Sequence, residues 1–323
     1  MHKDIVCNLC GSSEYALIFK AKDLNYCTTD EEFNVVKCKK CSLVYLNPQP
    51  LIIERYYPET YMPYKEVIGA GIDFKPYVRR ALKIFYGYPA TVKTSVNKLQ
   101  NLHGLIGLNL KDKFFFYKVP YARHKKILDV GCGNGSYLLS LKKLGWDAET
   151  QLYGIDFPNE ALTHLKEHEH INIIGGNFFD AALPENFFDV VAVRHVLEHL
   201  PDPASALKKA FALLKPDGII LINVPNFKSF EAMVFFREKW RHIDDPRHLY
   251  HFSPKTLKKL LGNTGFTVER ILLKRAVAPF IKSLGHYGYH VPKFVEKYII
   301  RTMLKLFKLT GYSGEILCKA TKR

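Results

Sequence analysis

The sequence predicts an α/β fold, a mostly parallel sheet that holds a ligand at the carboxyl ends of its strands, with a small cysteine-rich module ahead of it. Three observations predict it. The apolar strand Ile127–Val130 runs straight into the turn Gly131-Cys132-Gly133-Asn134-Gly135 and then into the helical pattern Tyr137–Leu141. Further apolar runs at Tyr153–Ile155, Phe188–Val193 and Ile219–Val224 are separated by stretches long enough for helices. Cys7-Asn8-Leu9-Cys10 and Cys38-Lys39-Lys40-Cys41 form two C-x2-C pairs with 27 residues between them.

The glycine turn comes first because it is the most specific. Glycine is needed where backbone adopts positive φ or passes close to a ligand. A strand, a glycine-rich turn and a helix in that order aim backbone N–H groups at a bound molecule. The spacing is G-x-G-x-G. It is neither the dinucleotide G-x-G-x-x-G nor a P-loop, which needs a following Gly-Lys-Ser/Thr.

With Asp129 before it, this turn resembles motif I of class I S-adenosylmethionine-dependent methyltransferases. The resemblance continues in order through Tyr153-Gly154-Ile155-Asp156, Ile173–Phe178, Phe188–Val193 with Arg194-His195-Val196-Leu197-Glu198-His199-Leu200-Pro201, and Leu213–Gly218 with Ile219–Val224. It covers roughly residues 120–273 and implies a seven-stranded Rossmann-like methyltransferase sheet. It also implies S-adenosylmethionine as cofactor, held by Asp129, Gly131, Cys132, Gly133, Gly135, Asp156, Phe157, Asn177, Phe178 and Arg194. Asp156 corresponds to the acid that takes the ribose hydroxyls. Asn177 stands where many members have Asp. Asp217 replaces the first glycine of the usual turn before the fifth strand, which a tight turn tolerates.

The catalytic expectation rests on the end of the fourth strand, where substrates approach an open α/β sheet. His195 is expected there as general base, because its ordinary pKa lies near neutrality. Glu198 and His199, one turn on, are candidates to orient it. A second polar cluster, His242, Asp244 and His248, lies on a loop expected to close over the substrate, with His248 in the catalytic set. His164, His168 and His170 read as surface residues.

The two cysteine pairs read as a zinc ribbon over residues 1–50. Each pair places two thiolates on one turn, and Cys7, Cys10, Cys38 and Cys41 complete a tetrahedral structural site with no open position for catalysis. Cys27 fits neither pair. The ribbon resembles the N-terminal module of certain bacterial methyltransferases, deoxysugar C-methyltransferases among them. Asn47-Pro48-Gln49-Pro50 lies ahead of the glycine turn and lacks the aromatic of the amino-methylating N-P-P-[FYW] motif, which disfavours base amino groups as acceptors.

Residues 51–119 read as an aromatic linker followed by a basic helical cap, and residues 120–323 as the methyltransferase core. After the fifth strand comes a helix through Trp240. Ser253-Pro254 opens another in the preferred N-cap and N1 arrangement. Phe266–Leu273 and Glu315–Ala320 are the last two strands, the second antiparallel, so residues 274–313 are an insertion. Within it Lys293, Lys297, Arg301, Lys305 and Lys308 line one side of an amphipathic helix, with Val295, Ile299, Met303, Leu306 and Phe307 on the other.

The chain of 323 residues carries a net charge of +16, unevenly spread. Lys and Arg outnumber Asp and Glu by 12 to 1 over residues 74–126 and by 12 to 3 over 269–323, while the rest is slightly acidic. Such flanks suit a phosphorylated substrate, an anionic membrane or nucleic acid. No apolar run approaches the about 18–20 residues that span a bilayer, and Met1-His2-Lys3-Asp4 does not open a signal peptide. The expected location is cytoplasmic, at the inner membrane face if the basic helix docks there. The expected acceptor is a small molecule: a sugar, nucleotide-sugar or lipid-linked intermediate. Methylation of rRNA or tRNA, and a non-catalytic membrane-associated scaffold, are the alternatives.

Overall fold

The computed structural model describes residues 1–58, 61, 71–89 and 112–323. Most of the aromatic linker and the middle of the basic cap therefore lie outside the described residues. The chain divides into two compact units: Met1–Glu59 with His195–Lys208 and Ile222–Lys319, and Thr60–Arg194 with Lys209–Leu221 and Ala320–Arg323.

The first unit opens with β1 (His2–Lys3), β2 (Tyr15–Ala21), β3 (Phe33–Cys38), β4 (Val44–Leu46) and β5 (Gln49–Pro50). β1 pairs antiparallel with β5, His2 opposite Pro50. β2, β3 and β4 form an antiparallel sheet, with Tyr15 opposite Cys38 and Val36 opposite Tyr45. The cysteine pairs lie on tight turns beside this sheet, Gly11 N–H donating to the Cys7 carbonyl and Ser42 N–H to that of Cys38. Gly11 and Ser42 each follow the second cysteine of a pair, and both take positive φ, +72° and +65°.

The second unit contains β6 (Ile127–Val130), β7 (Leu152–Asp156), β8 (Asn172–Gly175) and β9 (Phe188–Arg194). They pair in parallel, Ile127 beside both Leu152 and Val190, and Tyr153 beside Asn172. All four residues of β6 are buried, as a central parallel strand covered on both faces requires. β10 (Leu214–Pro225), β11 (Tyr250–His251), β12 (Phe266–Lys274) and β13 (Glu315–Lys322) follow. β11 adds to the edge of β4, and the seven-stranded sheet has the order β12-β13-β10-β9-β6-β7-β8. That is the expected α/β architecture, with the two late strands where the sequence puts them.

Local chemistry sets the helix ends. In the helix Pro254–Asn263 the Ser253 hydroxyl accepts from Thr256 N–H and Thr256 answers at the Ser253 N–H, a capping box with Pro at N1. Asp202 caps the helix Pro203–Leu213 in one direction, its carboxylate accepting from Ser205 N–H at 3.0 Å. Asp202 also takes the Asn8 side-chain amide at 2.8 Å, while Asn8 Oδ1 accepts from Ala204 N–H. The first cysteine turn is thereby tied to this helix start within one unit.

Two expectations need correction. The segment after the fifth strand is not one helix through Trp240 but a π turn, Glu231–Phe236, and a 3-10 turn, Arg237–Lys239. The basic insertion forms the helix Val277–Gly285, a π turn Val295–Ile300 and the helix Arg301–Leu309. A π turn closes i to i+5 and slips the helical phase by about one residue. As a result Ile300 and Leu304 are buried, whereas Ile299 and Leu306 face outward. Among the described residues no helix is long and apolar enough to cross a membrane.

Candidate active site

In the second unit the glycine turn closes on the end of β7. Gly131, Gly133 and Gly135 all have positive φ. The Gly131 and Cys132 N–H groups donate to the Ile155 carbonyl. Gly133 N–H donates to Asp156 Oδ2 at 2.7 Å, and Phe157 N–H to Oδ1 at 2.7 Å. Gly135 begins the helix Ser136–Lys143, and a Cβ there would fall 2.4 Å from Leu165 Cδ1, so glycine is demanded by packing as well as by φ +71°. Phe157 is half exposed, Phe178 is buried, and Asn177 is exposed, its Oδ1 accepting from Phe179 N–H.

Below the turn, Asp129 is wholly buried and held bidentately by Arg194, Nη2 to Oδ2 at 2.8 Å and Nε to Oδ1 at 3.3 Å. The guanidinium also lies 4.6 Å from the Tyr137 ring centre. Burial raises the Asp129 carboxyl even against Arg194, while Asp129 overrides burial to raise Arg194. Arg194, expected among the cofactor contacts, is thus spent on Asp129. It fixes the strand ends from which the glycine turn departs.

The first unit carries the titratable groups. His195 follows Arg194 and has φ +54°, a left-handed backbone that few non-glycine residues adopt. Its N–H donates to the Asn223 carbonyl at 2.8 Å. Its ring lies between two carboxylates, Nδ1 3.3 Å from Glu198 Oε1 and Nε2 3.6 Å from Glu315 Oε2, with the Asn223 side-chain amide 2.7 Å from Nε2. Lys274 adds a 2.7 Å bond to Glu315. Burial works against the charged ring, but Glu198 and Glu315 prevail and lift its pKa to about 9. Burial likewise opposes the Glu315 carboxylate, and His195 and Lys274 hold it well below the usual range. The two carboxylates thus favour the charged ring, and both ring nitrogens lie within reach of polar partners. His195, expected as the general base, is thus set between two carboxylates.

His199 is built differently. Its Nδ1 lies 3.0 Å from the Arg247 carbonyl and 3.0 Å from the Tyr57 hydroxyl. A carbonyl can only accept, so Nδ1 carries the hydrogen and Nε2 is left as the basic lone pair. Burial lowers its pKa, keeping it neutral. His248 repeats the arrangement, with Nδ1 2.8 Å from the His242 carbonyl and its pKa pushed far down by burial and by His199. The two rings stand edge to face at 4.5 Å. Glu198 is wholly buried, and its Oε2 has no hydrogen-bond partner among the described residues. One possible ligand atom from each of Glu198, His199 and His248 falls within 4.8 Å of the others. Two histidines and a carboxylate are a donor set that could bind a metal.

The loop carrying His248 is anchored by Arg247. This guanidinium is completely buried and bonds Asp23 at 3.0 Å through Nη1, Asp244 at 2.9 Å through Nη2 and the Tyr56 carbonyl at 2.9 Å. Asp244, read as a polar cap residue, is one of its anchors. His242 is neutral, burial taking its pKa to about 4, and stacks 6.0 Å from His195.

Comparison with known proteins shows a match of residues 109–271 to the model of a methyltransferase domain family. The ubiquinone biosynthesis O-methyltransferase of Shewanella sp. is 30% identical over 190 residues, 55% of this chain and 76% of that protein. A Mycolicibacterium smegmatis protein named as an S-adenosylmethionine-dependent methyltransferase is 29% identical over 152 residues, covering 46% of this chain and only about half, 54%, of that one. A solved methyltransferase of Archaeoglobus fulgidus is 23% identical, with 68% of this chain and 99% of that one covered at a TM-score of 0.45. The chain belongs to the S-adenosylmethionine-dependent methyltransferase family. Its ordered motifs and its sheet agree with that membership.

The donor set of this methyltransferase fits the cofactor. The Asp156 carboxylate is turned to the loop amides at a strand end and has glycine backbone beside it. The sequence brought out Asp129, the glycines, Asp156, Glu198, His195 and His248. It missed the roles of Arg247, Asp23, Tyr57, Asn223 and Glu315, which no spacing connects. The four cysteines do converge: Cys7 and Cys41 sulfurs are 3.4 Å apart and those of Cys10 and Cys38 3.5 Å, all four within 4.8 Å of one another. Burial pushes the Cys7 and Cys41 thiols up.

Proposed function

We propose that this methyltransferase transfers the methyl group to a hydroxyl of a small molecule, a sugar, nucleotide-sugar or lipid-linked intermediate, with His199 as general base. The observation that carries it is the His199 ring, oriented by the Arg247 carbonyl so that Nε2 carries the lone pair, with burial lowering its pKa. The two relatives above include one whose name specifies an oxygen acceptor. S-adenosylmethionine supplies an activated methyl group on a positively charged sulfur. Gly131, Cys132, Gly133, Asp156, Phe157 and Phe178 would hold it.

The chain's own contribution is orientation and proton transfer. The His199 Nε2 lone pair takes the acceptor proton, and the Arg247 carbonyl stabilises the ring as it becomes charged. Glu198 Oε2, buried and without a partner among the described residues, accepts a hydrogen bond from a neighbouring hydroxyl and fixes the acceptor. His248 Nε2 offers a second acceptor beside it. In the cysteine module Cys7, Cys10, Cys38 and Cys41 would close a structural zinc site. Turnover of full-length protein against hydroxylated sugars and lipid-linked sugars tests the reading. His199→Gln is expected to lower kcat by about 10²–10⁴ while leaving cofactor affinity measured by calorimetry unchanged. Loss of both together would overturn the assignment.

A further inference from the structure

The π turn Glu231–Phe236 and residues 274–313 leave an uncommon surface on the first unit. Met233, Val234, Phe294, Tyr298, Ile299, Leu306 and Leu309 are all more than half exposed. Aromatic contacts connect the turn to the insertion: Phe235 lies 5.5 Å from Phe307 and 6.1 Å from Phe280. Residues 274–313 carry Lys274, Arg275, Lys282, Lys293, Lys297, Arg301, Lys305 and Lys308 against a single acid, Glu296, which Arg301 already holds at 2.5 Å. Met233 and Arg237 also line a cavity of about 480 Å³ in the same unit, with Lys37, Lys228 and Lys255 and no carboxylate among its walls. None of these four cations has an ion-pair partner among the described residues.

We propose that this face docks on an anionic phospholipid bilayer. The exposed aromatic and aliphatic side chains enter the interfacial layer, and the cations of the cavity receive lipid phosphates. Amphipathic elements rich in Lys and Arg with large apolar residues bind membranes in this way. Charge complementarity picks the partner. A second copy would bring like charge against like charge. A nucleic acid would satisfy the lysines but leave Val234, Ile299, Leu306 and Leu309 in water, since aliphatic side chains have no π face on which a base can stack. Only an anionic bilayer accommodates both sets. This assignment does not rest on which acceptor the enzyme methylates.

The test is flotation of the full-length protein with vesicles of phosphatidylglycerol and phosphatidylcholine, against phosphatidylcholine alone, at low and high salt. Binding is expected on the anionic vesicles, at least about tenfold weaker on the neutral ones, and reduced by salt. The double variant Ile299→Asp with Leu306→Asp is expected to float at least about tenfold less, and Arg237→Glu or Lys255→Glu roughly fivefold less each. All these positions are exposed, and unchanged S-adenosylmethionine binding by calorimetry shows that each variant is folded. Absence of flotation on anionic vesicles overturns the proposal, as does full flotation by the aspartate double variant. Retention by a single-stranded RNA oligonucleotide without flotation reassigns the face to nucleic acid. Saturation by inorganic phosphate without flotation reassigns the cavity to a free anion. Either result also overturns it.

Discussion

The glycine turn and the histidine cluster solve opposite problems. The turn is backbone: three glycines at positive φ, amides donating to Asp156 and Ile155, and one buried ion pair beneath it. The cluster is side chain: His195, Glu198, His199, His248, Asn223 and Glu315 are brought together from stretches up to 120 residues apart, with Arg247 locking the loop. A backbone cradle constrains a short run of sequence tightly, because only glycine takes those angles and that proximity. A side-chain cluster constrains no run at all. Its members are ordinary polar residues until the fold assembles them. The lesson is that identity of the cofactor is written locally, while the base is decided by which carbonyls and carboxylates surround each ring.

Substitution in the cradle should have the largest effect. Gly135→Val introduces a side chain where a Cβ alone would meet Leu165 at 2.4 Å and imposes an unfavourable φ. Loss of cofactor binding by calorimetry is expected, with a lowered melting temperature. A variant that binds normally would show that the turn is not a close-packed cradle.

Next comes the comparison of the two histidines. His199→Gln should lower kcat by about 10²–10⁴, the range for removing a general base, with the cofactor Kd unchanged. His195→Gln should be milder at the acidic end of the profile, because a charged ring with engaged nitrogens acts only by holding Glu198 and Glu315. Equal losses with the same pH profile would assign the base to His195 after all. Stability is the third arm. Arg247→Met leaves the buried Asp23 without its cation and Asp244 with Arg241 alone, and breaking a buried pair in this way typically costs about 3–5 kcal/mol. Chemical denaturation should show this destabilisation. In the cysteine module, Cys38→Ser should remove one equivalent of zinc as measured by mass spectrometry; unchanged metal content would sink the zinc assignment.

How much was readable follows from the same contrast. The sheet was legible because β6, β7, β9 and β10 are apolar runs in a fixed order, and Ser253-Pro254 announces its helix. Cys7, Cys10, Cys38 and Cys41 were legible because knuckle spacing is local. The basic insertion was half legible: its charges are as read, but the π turn at Val295–Ile300 moved the buried seam to Ile300 and Leu304, and a one-residue phase slip leaves no mark in a residue pattern. His195 was selected by its place at a strand end. Nothing in the nearby sequence reveals that Glu315 and Lys274 wait beside it.

The smallest effect is a slope. The folded pKa of His195 is lifted to about 9 from an ordinary value of 6.5. Between those values the folded protein binds more protons than the unfolded chain, so stability must fall as pH rises. The contribution is complete below pH 6.5 and lost through about pH 9. Glu315, held low, contributes the other way only in acid, and Asp245 and Glu231, raised by burial to about 6 and about 7, finish titrating before the upper half of that window. Urea unfolding from pH 7.5 to 9.5 should therefore show stability declining in the native protein and a flatter profile in His195→Gln. Parallel profiles would mean that the ring is neutral between its two carboxylates. The distinction drawn between a charged His195 and a basic His199 would then collapse.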